Sequence, residues 1–309
     1  MDNFDLIDPS FGGTWERISS SDGLAGDDIR DIFLDSRGDI WVACYGSGIS
    51  KFDGFSWITY NTSNSGLLSN NVRCIGEDGD GDMLFGLSDG ISFLLDGTDW
   101  QYFFDIDREY RVNTFKLAGN GWMWAGCDGG GYIVYDGSGL YTSELSTIVE
   151  HNVINCIEED SQGNIWLATD DGVLIWNGSS WSWQSVEYGL GTDIIWSLLS
   201  DSKGRMWIGT QGGFTVVYSE SFTLYPVSLL NGGNDVYIKD ILEDRKGDIW
   251  FATWFDGLVR FDGVVSEAFK EYNGFPDDYV ETVAADSKGN IWAGTSSGIA
   301  MYHLPVTIK

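Results

Sequence analysis

The chain has 309 residues, of which 47 are Asp or Glu and 17 are Lys or Arg, giving a formal net charge of −30 at pH 7. This charge repels phosphate backbones and anionic lipid, so we expect neither nucleic-acid nor membrane-surface binding. Hydrophobic residues make up 43% of the chain, enough for a substantial core. No run reaches the roughly 18 apolar residues of a membrane span.

In chain order, the first predicted strand covers residues 13–18, and four more follow in residues 29–60. Strand A covers 29–34, strand B 40–44, strand C 49–52 and strand D 56–60. The A–B turn has the sequence DSRGD at residues 35–39. Its Gly accepts a positive φ and its first Asp can bond the turn backbone, so a tight turn is predicted.

The phrase that spans strand A, its turn and strand B recurs seven times, 40 to 43 residues apart. Its turn glycines are Gly38, Gly81, Gly121, Gly163, Gly204, Gly247 and Gly289. This period, with β-type patterning and no helical periodicity, predicts an all-β fold. We expect a seven-bladed β-propeller with four antiparallel strands per blade.

The two ends of the chain are predicted to meet. The seventh copy stops after strand C, so residues 13–18 are expected to supply its outer strand and close the ring. We therefore expect an N-terminal extension at residues 1–12, one propeller domain at 13–304 and a tail at 305–309. The start of the chain shows no secretory signal, so either the protein is cytosolic or a signal has been removed.

The copies resemble the two-component regulator propeller repeat. The resemblance is carried by GLLSNNVRCI, DGDGDMLFG and GFPDDYVETVAADSKGNIWAGTSSGI, and it departs at Leu84, Ala118, Cys44, Leu87 and Cys127. Propellers of that family often form extracellular or periplasmic sensor regions that recognise oligosaccharides. The resemblance thus implies a periplasmic or extracellular ligand-binding domain, with a cytoplasmic location left open.

Aligned copies place a strand B residue of one blade against a strand A residue of the next. This register pairs Cys44 with Cys74 and Cys127 with Cys156, and elsewhere sets Thr mostly against Ser, Thr or Asp. We predict hydroxyl bonds and sulfur contacts between blades, and leave open whether the cysteines form disulfides. No CxxC is present and both histidines lie far from these pairs, so neither a metal site nor a cofactor is expected.

One position per blade lies near the channel end of strand A, five residues before the first turn residue. Its occupants are Arg30, Arg73, Asn113, Asn155, Trp196, Lys239 and Glu281. Three cations among seven positions, with Arg111 close by, predict a cationic mouth for a uronate, carboxylate or sulfate ligand. Alternatively, these cations neutralise an acidic ring formed by Asp27, Asp28, Asp31 and Asp240.

Aromatic residues in the loops are candidates for contact with the apolar faces of sugars. They are Tyr45, Trp254 and Phe255, with Tyr110, Tyr237 and Tyr279 at strand A entrances. The tryptophans that recur at one strand B position are instead predicted to pack between blades. These are Trp41, Trp124, Trp166, Trp207, Trp250 and Trp292.

The leading hypothesis is a non-catalytic, monomeric propeller that binds a ligand such as an anionic oligosaccharide, as a sensor or glycan-recognition module. A polysaccharide lyase acting on uronic acids is the first alternative. Its carboxylate would be neutralised by Arg30, Arg73 and Lys239, with His151 or a Tyr as the base. A protein-interaction scaffold is the second alternative.

Overall fold

The protein is a ring of seven β-sheets, the blades of a propeller. The structure is a computed structural model that describes residues 6–7, 14–103, 111–136, 139–143, 153–219, 221–230 and 236–303. Each blade has four antiparallel strands, A to D from the central channel outward, and blade seven has a short fifth strand. The predicted fold is confirmed. Among the described residues, no helix is long and apolar enough to cross a lipid bilayer.

The strand bounds follow the repeat closely. Strands A to D of blade one are Ile29–Leu34, Ile40–Cys44, Gly48–Phe52 and Trp57–Tyr60. Those of blade two are Val72–Glu77, Met83–Leu87, Gly90–Leu95 and Asp99–Phe103. Those of blade three are Arg111–Leu117, Met123–Asp128, Tyr132–Tyr135 and Leu140–Ser143. Strands A to D of blade four are Ile154–Glu159, Ile165–Thr169, Gly172–Trp176 and Trp181–Gln184. Those of blade five are Ile195–Ser200, Met206–Thr210, Gly213–Tyr218 and Ser221–Pro226. Strands A to D of blade six are Tyr237–Glu243, Ile249–Trp254, Leu258–Phe261 and Ser266–Phe269. In blade seven, strands A to C are Val280–Ala285, Ile291–Thr295 and Gly298–His303, strand D is Thr14–Ile18, and the fifth strand is Leu6–Ile7. Short 3-10 turns lie at Ser20–Asp22, Val186–Tyr188, Val227–Leu230 and Glu271–Asn273.

The first residue of the A–B turn holds both the turn and a core tryptophan. In blade one, the Asp35 carboxylate accepts the backbone N–H of Arg37 at 3.0 Å and of Asp39 at 2.8 Å. It also accepts the Trp41 indole N–H at 2.8 Å. Gly38 takes a φ of +90°, which favours glycine. The same three bonds recur at Asp160, Asp201, Asp244 and Asp286.

The recurrent tryptophans fill the space between blades, as predicted. Their exposed fractions range from 1% at Trp250 to 7% at Trp166. Trp41, for example, lies in one core cluster with Phe85 of the next blade. Burying a large ring at each joint removes much apolar area from water, so the blades stabilise one another.

The ring closes through residues near the N-terminus. Thr14–Ile18 pairs antiparallel with Gly298–His303, which sets Trp15 opposite Tyr302. This strand D from the start of the chain was predicted. The additional strand, Leu6–Ile7, pairs with Thr14 and Trp15 and was not predicted. The N-terminal strand thereby covers the outer edge of Gly298–His303.

Each strand A carries one extra residue near its channel-mouth end. In all seven blades the pairing with strand B shifts there, as between Ile29 and Asp31 in blade one. Such a β-bulge sets two residues opposite one and re-aims their side chains. The first residues of all seven bulges and the second residues of six of them line the channel, in two rings.

The predicted cysteine pairing is wrong because side chains alternate along strand B. Trp41 faces the following blade, so Cys44, three residues later, faces the preceding one. All four cysteines are free thiols. Cys44 packs with Trp292, between blades seven and one, whereas Cys74 shares a cluster with Cys127 between blades two and three. Cys156 packs in the joint between blades four and five. Strand B positions such as Cys44 face the preceding blade, not the following one.

The predicted hydroxyl bonds across blades at strand B are wrong for the same reason. Thr169 donates to the carbonyl oxygen of Gly172 in its own blade at 2.8 Å. Thr210, Thr253 and Thr295 also bond within their own blades. Contacts between blades arise instead where strand A side chains meet the backbone of the next strand A. Ser197 donates to the carbonyl oxygen of Ile238 at 3.1 Å.

Candidate functional site

The first residue of each bulge faces the mouth of the channel. These seven residues, with Tyr45 and Trp254, line one pocket of about 380 Å³. The seven are those the sequence placed at this end, namely Arg30, Arg73, Asn113, Asn155, Trp196, Lys239 and Glu281. The structure thus brings all seven predicted channel-end residues and two of the predicted loop aromatics into one cavity.

Two other predicted residues, Arg111 and Phe255, are not part of this lining. Arg111 is half-exposed, and its guanidinium lies 3.6 Å from the Asp128 carboxylate. Phe255 is 48% exposed at the rim, where its ring packs on Tyr279 with centroids 4.9 Å apart. His151 and Tyr110 lie outside the described residues, so their positions relative to the mouth stay predictions.

Of the three predicted mouth cations, Arg30 is the one that neutralises nearby carboxylates, as the alternative to ligand binding predicted. Its guanidinium lies 3.0 Å from the Glu281 carboxylate and 3.1 Å from that of Asp28. It also lies over the Tyr45 ring, 5.0 Å from the centroid. Two carboxylates thus offset the charge of Arg30.

Arg73 is differently placed. Its Nε and one terminal nitrogen donate to Asn113 Oδ1 at 3.1 and 2.8 Å. In the described part of the chain, no carboxylate lies within 4.0 Å of it. Asn113 in turn donates to the carbonyl oxygen of Ile154 at 3.0 Å, which fixes the amide. Arg73 is therefore an oriented guanidinium that has no counter-ion among the described residues.

Lys239 lies between two indole rings. Its Nζ is 3.7 Å from the Trp196 centroid and 4.4 Å from that of Trp254. Both distances are within the range of cation–π attraction. Burial lowers the pKa of Lys239 to about 8, and Arg30 and Arg73 also lower it. Among the described residues, no carboxylate forms an ion pair with this ammonium.

An unbroken array of aromatic rings runs from the pocket to its rim. Tyr237 is its branch point, because the centroid of its ring lies 6.2 Å from that of Trp196, 5.9 Å from that of Trp254 and 6.1 Å from that of Phe255. The Phe255 centroid in turn lies 4.9 Å from that of Tyr279. We call this array the aromatic ridge. Its members are Trp196, Tyr237, Trp254, Phe255 and Tyr279.

Two features of the ridge suggest a surface built for contact. Phe255 takes a φ of +79°, a strained value for a residue with a side chain. The indole N–H groups of Trp196 and Trp254 have no hydrogen-bond acceptor in the structure. Strained and unsatisfied groups tend to collect at functional sites.

The second ring of bulge residues lies just below the first. It contains Asp31 and Asp240, with Thr282 between them in the order of blades. The Thr282 hydroxyl donates to the Asp240 carboxylate at 3.1 Å. Burial raises the pKa of Asp31 to about 7 and that of Asp240 to about 6. The sequence had grouped these carboxylates with the mouth cations, but it could not show that they lie one layer deeper.

In chemical terms the mouth offers two unpaired cations, a paired one, two amides and a flat aromatic wall. That set suits an anionic group beside an apolar ring face. Within the described ranges, no group of three or more His, Cys, Asp or Glu is placed to hold a metal ion.

Comparison with known proteins gives three results. The two component regulator propeller family matches residues 23–46, 149–171, 189–212, 232–255 and 274–297. No curated protein matches the chain. Solved structures of similar fold include the extracellular domain of a putative hybrid two component system from B. thetaiotaomicron, with 22% identity and a TM-score of 0.83. This likeness covers 96% of our chain and 42% of the other, so our chain spans less than half of that domain.

Two further structures are similar in fold. One is PorZ, a surface component of the type-IX secretion system of Porphyromonas gingivalis, with 19% identity and a TM-score of 0.74 over 91% of our chain and 47% of the other. The second is an inactive virginiamycin B lyase from Staphylococcus aureus with quinupristin. It has 13% identity and a TM-score of 0.76 over 95% of our chain and 100% of the other.

At these identities a likeness shows the fold alone. The family match is of a different kind, because it falls on the repeated phrase itself and recurs at five places. Each match includes part of strand A, its turn and strand B, the elements that place one residue at the mouth. Five of the seven copies match the two component regulator propeller repeat, and the predicted resemblance to that family is confirmed.

Proposed function

We propose that this chain is a non-catalytic ligand-binding propeller of the sensor type that holds an acidic oligosaccharide at the channel mouth. The observation that carries the proposal is the state of Arg73 and Lys239. Both cations line the pocket without a carboxylate partner in the described structure, although the chain as a whole has a formal charge of −30. Leaving cations unpaired in so acidic a protein is reasonable if an anionic ligand supplies the missing charge.

The neighbouring aromatic ridge supports a sugar as the carrier of that anion. A carboxylate or sulfate would contact Arg73 and Lys239, while the ring that bears it, or the next ring, would lie on Trp254 or Phe255. The family and its extracellular relatives support a location outside the cytoplasm, where glycans are met.

Two measurements test the proposal together. Thermal unfolding is followed with uronate-containing, sulfated and neutral oligosaccharides, and any ligand that shifts the midpoint is titrated by calorimetry. We expect acidic sugars alone to raise the midpoint through the mouth, with affinity falling as salt is added. Arg73→Gln should weaken binding about tenfold, the usual loss for one charge-assisted contact.

Lys288→Gln is the matched control. It also removes one positive charge, but from the A–B turn of blade seven, at the opposite end of the channel. Equal losses in the two variants would mean that only net charge matters and would overturn the site. Growth of absorbance from an unsaturated product would replace the proposal by the lyase. No shift with any acidic sugar would also overturn it, and a partner-protein pull-down would then test the scaffold alternative.

A further inference from the structure

A second cavity, separate from the mouth, lies in the joint between blades four and five. Its volume is about 830 Å³. It opens beside the A–B turns, at the end of the channel away from the mouth, and Trp166 and Phe222 form its aromatic wall. We call it the joint groove. It uses none of the residues that line the mouth.

The repeat supplies an internal reference for this groove. The equivalent joint between blades one and two encloses a cavity of only about 30 Å³. Three side chains close it there. Lys51 lies over the Trp41 ring at 5.0 Å, Tyr60 stacks on that ring at 5.8 Å, and Arg37 reaches the carbonyl oxygen of Gly81 at 3.4 Å.

The joint between blades six and seven is closed by the same kinds of side chain. Arg260 lies over the Trp250 ring at 5.8 Å, and Phe269 stacks on it at 5.9 Å. Arg245 donates across the joint to the carbonyl oxygen of Ser287. A cation over the ring, an aromatic ring against it and an arginine across the joint are therefore a recurring closure.

Blades four and five lack all three parts of that closure. Strand pairing places Ile175 where blade one has Lys51, and Gln184 where it has Tyr60. Gln162 takes the turn position of Arg37. Trp166 is consequently the one inter-blade tryptophan in the described structure whose ring contacts neither another ring nor a cation.

The polar groups of the joint groove favour a neutral, hydroxyl-rich ligand. The side chains of Gln184, Lys203 and Tyr218 line it and have no hydrogen-bond or ion-pair partner in the described structure. Its carboxylate, Asp160, is already engaged by Asn164 at 2.8 Å and by the Trp166 indole at 2.9 Å. A single cation in a strongly acidic protein does not select an anion, whereas amide, phenol and ammonium donors around an aromatic ring suit sugar hydroxyls.

We propose that the joint groove is a second binding site, for a short neutral saccharide whose ring packs against Trp166 while its hydroxyls bond Gln184 and Lys203. The groove volume lies within the usual range of small-ligand sites, roughly 300–1,000 Å³. The proposal does not depend on the function of the mouth.

The test uses ¹⁹F NMR of protein labelled with 5-fluorotryptophan. The Trp166 resonance is assigned from Trp166→Phe, and it is then followed during titration with cello-, xylo-, manno- and maltotriose. We expect at least one trisaccharide to shift it. The shift should persist in Lys239→Met, which alters only the mouth.

Two exchanges between blades make the test specific. The triple variant Gln162→Arg, Ile175→Lys, Gln184→Tyr gives blade four the closure of blade one, and it should weaken binding at least about tenfold. The single variant Gln184→Tyr serves if the triple variant folds poorly. The reverse triple variant in blade one, Arg37→Gln, Lys51→Ile, Tyr60→Gln, should open an equivalent groove. The same trisaccharide should then also shift the Trp41 resonance.

Three results would overturn the proposal. One is that no trisaccharide of the panel moves the Trp166 resonance. Another is that the shift survives in a closed variant whose thermal unfolding is cooperative. The third is that tripeptides move the resonance and the trisaccharides do not, which would make the groove a peptide site.

Discussion

The Lys239 ammonium lies 3.7 Å from the centroid of the Trp196 ring. The ring attracts the charge, but it also displaces water, and this desolvation lowers the lysine pKa to about 8. The ammonium is thus charged near neutral pH and easily deprotonated above it. A mouth built around this contact should respond to mild alkali, which an arginine in its place would not.

Binding of an acidic ligand at the mouth should therefore weaken as the pH rises through about 8. Above this value Lys239 is mostly neutral, and the ligand loses one of its charge partners. We expect about tenfold weaker binding at about pH 9.5 than at about pH 7, measured by calorimetry at constant ionic strength. Lys239→Arg should remove most of this pH dependence, and an unchanged profile in that variant would exclude Lys239 as its source.

Asp31 and Asp240 should make the fold more stable in mild acid than at neutral pH. Their folded-state pKa values are raised, to about 7 and about 6, so between about pH 4 and 7 the folded state binds more protons than the unfolded one. Stability from this source is present at the acid end and is lost as the pH rises. The slope is at most about 1.4 kcal/mol per pH unit for each carboxyl group.

Urea unfolding between about pH 5 and 7.5 measures this slope. Asp31→Asn and Asp240→Asn should each flatten it. Asp53→Asn is the control, because bonds from the Ser56 and Phe55 backbone lower the pKa of Asp53, whose effect lies at more acid pH. If both channel variants kept the wild-type slope, the carboxyl groups would not be its origin.

Ala118→Asp should stabilise the protein. Ala118 stands at the first turn residue of blade three, where five other blades have an Asp that accepts the indole N–H. In blade three the Trp124 indole N–H is buried without a partner. Supplying the carboxylate should add about 1–2 kcal/mol to the free energy of unfolding.

Chemical denaturation of Ala118→Asp and Ala118→Asn checks this prediction. The Asn variant can accept turn N–H groups through its one oxygen, but its NH₂ group cannot accept the indole N–H, so its gain should be smaller. Equal gains from the two substitutions would mean that the turn backbone, and not Trp124, is the source of the stability.

Phe255→Gly should separate stability from binding. The φ of +79° is strained for Phe and easy for Gly, so the change should leave the free energy of unfolding the same or raise it by up to about 1 kcal/mol. It also removes one ring of the aromatic ridge. Affinity for an acidic oligosaccharide should fall, while that for the isolated acidic monosaccharide should change little. A large loss of stability would show that Phe255 is a packing residue instead.

The fold was predictable because the same strand and turn pattern recurs seven times in the sequence. Glycine spacing gave the blade count, the DSRGD-type turn gave the strand ends, and the missing outer strand of the last copy pointed to residues 13–18. The mouth residues were predictable for the same reason, since a single position recurs in each blade.

What the sequence did not show is the bulge, because a strand pattern with period two does not reveal an extra residue. The depth of Asp31 therefore stayed unseen. The error at Cys44 came from aligning the copies without applying the strand B alternation, which sets Cys44 and Trp41 on opposite faces. The joint groove was missed because it is a space over the Trp166 ring that Ile175 and Gln184 leave unfilled. A blade-by-blade comparison of the positions over the tryptophan would have been the signal.

The seven bulges also separate what this ring is from what it can recognise. The first residue of each bulge stands outside the regular pairing of strands A and B, so replacing it leaves the ladder of hydrogen bonds intact. The channel mouth therefore consists of seven variable positions on a fixed frame of strands. A new specificity could be introduced there one blade at a time while the pairing of strands A and B stays intact.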